Sequence, residues 1–263
     1  MFNTQVVHYT PLKDRHEYLS RISKTVLPLN FITEKDLHFI NQRFIHTKKV
    51  FGINPIRYGF NLGVNSRALS TTRRKATIEG FRLLAIGLTL RKYRKVMTGS
   101  IPQFSKLATS QLELSAMHVA AIRTGYESNS PWILILEDDA RISENLDLNI
   151  ESVCQMFQKE RKVFINLNSG AGMLHTKSDP KPNNLGIYRV KPIGVRCTTS
   201  YLINRFTAGK LLDLFSSERL QDWLPIDIQM QIALQKINAK TYWQDPPTFI
   251  QGSEDGTYSS NLR

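Results

Sequence analysis

Apolar residues fall along this chain in two kinds of pattern, and the two alternate. Residues 4–9, TQVVHY, form a short apolar run of β type, closed by Thr10-Pro11. Proline has no N–H to extend a ladder, so a strand is expected to end there. In the next stretch, LKDRHEYLSRISKTV (12–26), Leu12, Tyr18, Leu19, Ile22 and Val26 recur mostly at three- and four-residue intervals. That is the spacing of one helix face. Residues 28–33, PLNFIT, read as a second strand. A β-α-β opening predicts a right-handed crossover joining two parallel strands.

The segment from about 37 to 105 carries Gly, Asn, Ser and Pro punctuation and little periodicity. It predicts loops with one or two helices, the clearest at 76–96. Periodicity returns at 107–126, LATSQLELSAMHVAAIRTGY, a predicted helix with Thr109 or Ser110 as its cap and Gly125 at its end. A turn-forming ESNS follows, then WILILEDDA (132–140), a continuous apolar run stopped abruptly by three carboxylates. A run without alternation predicts a strand buried on both faces of a sheet. A helix at 149–159, a strand at 161–167, a Gly/Asn/Pro-rich loop to about 185 and strands at 187–190 and 197–203 come next. Helices near 206–217 and 224–236 and a short strand at 241–243 complete the pattern, and the polar tail from 244 is expected to be a loop. Strands alternating with helices predict an α/β sandwich with a mostly parallel central sheet.

Composition narrows the class. The chain has 263 residues, 41% of them apolar and 10% aromatic, a globular composition on a length that suits one large domain or two small ones. No apolar run approaches the roughly 18–20 residues that span a bilayer, and the N-terminus lacks a signal-peptide pattern. The expectation is a cytoplasmic protein. A net charge of +13 and a pI of about 9.8 attract polyanions: nucleic acid, an anionic membrane face or phosphorylated substrates. The densest basic groups, Arg73-Arg74-Lys75 and residues 91–95, both lie between about 60 and 105. Zinc-finger spacing, an RNP-type aromatic motif and a clear helix-turn-helix are all missing, which argues against nucleic acid as a partner. A P-loop is missing too. Cys154 and Cys197 have no metal-type spacing and are expected to be reduced, buried thiols.

The strongest chemical signal is Glu137-Asp138-Asp139 at the end of the apolar run. Three adjacent carboxylates repel one another, at a cost in stability unless a cation neutralises them or they reach water. In open α/β sheets, ligands bind beyond the carboxyl ends of the strands, and hard oxygen ligands suit Mg²⁺ or Mn²⁺. On an extended chain Glu137 and Asp139 project to one side and Asp138 to the other. One carboxylate is therefore expected to ligate the ion directly, Asp139 first and Asp138 close behind. Another is expected to act through water or a nucleotide ribose, unless a turn brings both inward. Phosphatases, nucleases and nucleotidyltransferases also place acids after a strand, so a nucleotidyl- or phosphoryl-transferase stands as an alternative.

The stretch SQLELSAMHVAAIRTGYESNSPWILILEDDA (110–140) resembles the central motif of glycosyltransferase family 25, the lipooligosaccharide-type galactosyltransferases, with Gln111 where that family has Glu. Residues 187–215, the Pro-x-Asp of LPIDIQMQIAL (224–234), the tail 246–263 and the opening VVHYTPLKDRHEYL (6–19) are similar to further blocks of the family, in the family's order. Residues 40–105 do not match. The resemblance implies a single GT-A-type domain over 1–263. It implies inverting transfer, most often of galactose, from a UDP-sugar to a glycan or lipooligosaccharide-type glycolipid acceptor. It maps metal-binding acids onto Glu137, Asp138 and Asp139, and the Pro-x-Asp acid onto Asp227.

Asp227 is then the candidate base for the acceptor hydroxyl; it also reads as a first-turn acid stabilised by its helix dipole. His8, Thr10 and Arg15, around the first strand's end, are candidate donor contacts, with Arg15 suited to a phosphate or, alternatively, a plain surface arginine. Asp36 is a candidate ribose or uridine contact or a helix cap. Gln251 and Ser253 are placed to close over the diphosphate or acceptor. His118, sharing a helix face with Leu114 and Ile122, reads as a satisfied core residue. The basic surface is expected to hold the enzyme near anionic lipid at the inner membrane face.

Overall fold

The apolar run that ends in three carboxylates becomes an inner strand of a seven-stranded sheet. The computed structural model describes residues 2–25, 29–35, 102–143, 150–168, 175, 179–190, 196–217, 226–253 and 256–258. Its elements are β1 (Phe2–His8), α1 (Lys13–Thr25), β2 (Leu29–Thr33), α2 (Pro102–Glu127), β3 (Trp132–Glu137), β4 (Ala140–Ile142), α3 (Ile150–Met156), β5 (Val163–Asn166), β6 (Ile187–Val190), β7 (Ser200–Asn204), α4 (Arg205–Ser217), α5 (Ile226–Lys236), β8 (Lys240–Gln244) and β9 (Phe249–Gln251). The large sheet has the order β2-β1-β3-β7-β5-β8-β6, and β4 with β9 makes a separate two-stranded ribbon. β1 lies parallel to both β2 and β3, and β5 parallel to β8. β7 runs against β3 and β5, and β6 runs against β8. The architecture is α/β with a mostly parallel, mixed sheet, and the β-α-β opening is present as expected.

Burial explains why β3 shows no alternation. Trp132 through Leu136 are all buried. Ile133 and Ile135 pack into an apolar cluster with Met117 and Ile122 of α2, Leu211 and Phe215 of α4, and Met230 of α5. Trp132, Leu134 and Leu136 pack on the opposite face with Leu19 of α1 and Ile150 and Val153 of α3. Helices cover both faces, so a polar side chain anywhere in the run would be buried without water. Each of these apolar side chains contributes roughly 1.5–3 kcal/mol by leaving water.

Several boundaries differ from those expected. α2 begins at Pro102, so Thr109 and Ser110 lie inside the helix and not at its cap; proline is favoured at a first helical position because its missing N–H is not needed there. Gly125 does not end the helix, which continues to Glu127. Its small size serves packing instead: a Cβ there would stand 2.4 Å from Cγ2 of Ile133. Gly125→Ala is expected to destabilise the protein by about 1–3 kcal/mol, read as a lower urea midpoint with an unchanged slope.

β3 stops at Glu137, and Asp138-Asp139 form a turn into β4. The acids close the strand as expected, and the turn follows because Asp138 is drawn away by partners on another part of the chain, described below. The tail is not simply a loop: Phe249–Gln251 pairs antiparallel with Ala140–Ile142, and Phe249 is 1% exposed. Cys154 and Cys197 are both free thiols, the first buried and the second only partly so; burial pushes the Cys154 thiol up to about 12. The segment 37–105 up to Ile101, with its expected helix at 76–96 and both basic clusters, lies outside the described residues. Among the described residues no helix is long and apolar enough to cross a membrane.

Candidate functional site

The chain leaves β1 through α1 to reach β2 on one side, and reaches β3 through α2 on the other. α1 packs on one face of the sheet and α2 on the opposite face. The connections therefore diverge at the carboxyl ends of β1 and β3, which opens a crevice where ligands bind in sheets of this kind. His8 ends β1 and Glu137 ends β3. The three acids stand in this crevice, and the fold gives each a different environment.

Asp138 is neutralised within the protein. Its Oδ1 accepts a hydrogen bond from Nη1 of Arg15 at 2.7 Å, and its Oδ2 accepts from the backbone N–H of Tyr9 at 3.0 Å and lies 3.2 Å from Nδ1 of His8. Burial works to raise its pKa, but the bonds from His8, Tyr9 and Arg15 outweigh burial and hold the carboxyl below the usual aspartate value. Arg15 is buried, not a surface arginine, and its guanidinium also sits 5.0 Å over the ring of Tyr258.

Asp139 is only 5% exposed. Its Oδ2 accepts from Oγ of Ser253 at 2.8 Å, while its Oδ1 is buried with no hydrogen-bond partner. Burial first, then repulsion from Glu137 and Asp138, overcome the Ser253 bond and Arg15 and raise its pKa to about 6. Glu137 accepts at Oε1 from the Thr198 hydroxyl at 2.7 Å, with Nε2 of His118 at 3.2 Å from the same oxygen.

The tail closes the crevice from above β4. The backbone N–H of Gly252 donates to the Asp139 carbonyl at 2.8 Å, and that of Tyr258 donates to Gly252 at 2.9 Å. A Cβ on Gly252 would meet Cδ2 of Tyr258 at 2.4 Å and the Asp139 carbonyl oxygen at 3.1 Å. Gly252→Ala is expected to displace Tyr258 from Arg15, seen as faster proteolysis of the C-terminal segment with the rest of the chain protected.

The remaining candidates divide. Ser253 meets the acidic cluster as stated; Gln251 pairs with Ala140 in the β4–β9 ribbon, and its Oε1 is buried without a partner. Thr10 donates its backbone N–H at 3.1 Å and its hydroxyl to the Glu34 carboxylate, next to β2. Asp227 stands in the first turn of α5 and lines a cleft of about 330 Å³, open mouth included, with Asn166, Arg196, Thr198, Gln231 and Trp243. Thr198 connects that cleft to the acids, since its hydroxyl reaches Glu137. Asp36 lies outside the described residues.

Sequence reasoning missed four contributors. Thr198, Tyr201 and Arg196 come from the approach to β7 and from β7 itself; all three lie in the 187–215 block that resembles the family, but the resemblance attaches no role to them individually. Arg196 is 3% exposed, donates from Nη1 to the carbonyls of Asn168 and Gln244, both at 2.8 Å, and stacks 4.5 Å over Trp243. His118 is a satisfied buried residue, as expected, but one of its contacts is Glu137.

The donor chemistry fits a hard cation at one acid better than at three. Asp139 offers a buried, unpartnered carboxylate oxygen beside the negative charge of Glu137, which suits Mg²⁺ or Mn²⁺. Asp138 does not fit that role, because both of its oxygens already hold donors. Among the described residues no three His, Cys, Asp or Glu side chains converge as a metal-holding group. Comparison with family models and with curated proteins finds no match for this chain.

Proposed function

We propose that this chain is a metal-dependent, inverting glycosyltransferase of GT-A type that moves a sugar, galactose foremost, from a UDP-sugar to a glycan or lipooligosaccharide-type acceptor. The observation that carries the reading is Asp139: a buried carboxylate with one oxygen unpartnered, at the carboxyl end of β3 and at the point where the connections diverge. A side chain in that state gains most from a divalent cation. The resemblance of residues 110–140 and 187–260 to family 25 supports the substrate class.

In this reading Asp139, helped by Glu137, would hold Mn²⁺ or Mg²⁺, which when bound would supply charge stabilisation to a departing diphosphate. Asp138 does not ligate. It fixes the turn by pairing with Arg15 and His8, so that Asp139 keeps its place. Asp227, across Thr198 from the acids, takes the acceptor hydroxyl proton. Ser253 and the tail exclude water above the ion. Attraction of the cationic chain to anionic lipid keeps it beside a lipid-linked acceptor at the inner membrane face.

The test is product analysis with UDP-galactose, Mn²⁺ and a lipooligosaccharide acceptor. Release of UDP with formation of a glycosidic product is expected. Release of UMP or pyrophosphate would point to nucleotidyl or phosphoryl transfer instead. Asp227→Asn is expected to lower transfer about 10²–10⁴-fold while leaving UDP-galactose affinity unchanged within error. Equal loss of binding would remove Asp227 from the role of base.

A further inference from the structure

Behind the acidic cluster lies a buried chain of polar contacts that the proposed reaction does not use directly. Tyr201 and His118 are both 0% exposed. The Tyr201 hydroxyl is 3.1 Å from Nδ1 of His118, and Nε2 of His118 is 3.2 Å from Oε1 of Glu137. The two rings stack at 5.8 Å, and Tyr201 stacks in turn on Phe164 at 5.1 Å. The Thr198 hydroxyl donates to the same Oε1 at 2.7 Å.

These contacts have one consistent direction. A carboxylate oxygen has no proton to give, so the imidazole nitrogen facing it must carry one. In any neutral imidazole a proton on Nε2 leaves Nδ1 as the acceptor. The phenol must then donate to Nδ1, which it can do because burial keeps Tyr201 protonated. Among the described residues the Tyr201 hydroxyl has no second acceptor to turn toward, and the stacked rings hold it in line.

We infer that His118 is a positioning residue, held between the Tyr201 hydroxyl and Glu137, and that it pins Oε1 of Glu137 so that the second oxygen, Oε2, is presented beside Asp139. Two donors converge on Oε1, His118 and Thr198, and among the described residues none is recorded on Oε2. Rotation of the carboxyl about its last torsion, a soft one, is thereby stopped. The functional half of this inference rests on the reading of the cluster as a cation and diphosphate site; the other half rests on the contacts of His118 with Tyr201 and Glu137 and on their burial.

The experiment keeps the two halves apart. Long-range ¹⁵N–¹H NMR on the full chain labelled at histidine nitrogen, with His118 assigned by its disappearance in His118→Gln, is expected to show a proton on Nε2 and a hydrogen bond accepted at Nδ1. In Tyr201→Phe the Nδ1 signal is expected to lose its hydrogen-bond shift. A ring protonated at Nδ1, or at both nitrogens, at pH 7.5 overturns the relay whether or not the protein transfers sugar. In the transfer assay, His118→Asn, which has no donor at the Nε2 position, is expected to lose about 10–100-fold, the usual loss when a group behind a metal ligand is removed. His118→Gln, which can restore that donor, is expected to recover most of the loss. Tyr201→Phe is expected to lower kcat several-fold with KM and Tm little changed. Equal losses in the Asn and Gln variants, tracking Tm, would reduce His118 to a packing residue. Absence of transfer in the unmodified protein would sink the glycosyltransferase reading and leave the NMR result to decide the relay.

Discussion

Asp139→Asn is expected to raise the melting temperature at neutral pH and, in the same molecule, to abolish cation-dependent transfer. The folded state holds the Asp139 proton to about pH 6, whereas an aspartate in an unfolded chain loses it near pH 3.9. Between those values the unfolded state binds fewer protons than the folded one, so stability falls as pH rises through that window. The full penalty is present at pH 7 and is on the order of 2–3 kcal/mol. Asparagine keeps the shape and can still bond Ser253, but carries no charge for burial and Glu137 to oppose. In the absence of divalent cations, a rise in Tm of roughly 5 °C is expected, shrinking to nothing as the pH falls to about 4. Transfer is expected to drop at least about 100-fold, since the cation supplies several kcal/mol of charge stabilisation. A variant that melts lower and still works would contradict both halves.

Arg15→Met is expected to have the largest effect on stability. Methionine keeps most of the aliphatic stem but strands Asp138, whose Oδ1 then loses its 2.7 Å partner inside the protein. Breaking one side of a buried pair costs about 3–5 kcal/mol, mostly because the other charge remains uncompensated. The double variant Arg15→Met/Asp138→Asn is expected to recover part of that loss, a non-additivity that a denaturation cycle measures directly. Asp138 also sets an acid limit. Its folded pKa lies below the aspartate value, so its contribution is present above about pH 4 and disappears as pH falls through the folded value. The Arg15→Met variant is expected to weaken that acid dependence, the His8 and Tyr9 bonds keeping the remainder. Equal stability of Arg15→Met and the unmodified protein would mean that Asp138 is neutralised some other way.

The parts legible in the sequence were those that a local pattern encodes. β1, α1, β2 and β3 follow from alternation of strand-type and helix-type spacing, and the two-sided burial of β3 follows from its unbroken apolar run. Asp139 stood out because charge follows burial so abruptly. The environments of the three acids were not legible, because each is made by residues remote in the chain. Arg15 reaches Asp138 across 123 positions, Ser253 reaches Asp139 across 114, and Tyr201 reaches His118 across 83. Arg15 has the pattern of an exposed helix residue, and only the turn at Asp138 buries it. The tail looked like a loop because Phe249–Gln251 is too short to show alternation; its pairing with Ala140–Ile142 is what orders it.

The central claim is that Asp139 holds a cation that in turn holds a nucleotide diphosphate. Isothermal titration of UDP-galactose into the full chain, with Mn²⁺ and then with EDTA, tests it most directly. Saturable binding with Mn²⁺, at least about tenfold weaker in EDTA and absent in Asp139→Asn, is the predicted result. Identical affinity in all three conditions, or no binding with Mn²⁺ present, would contradict it.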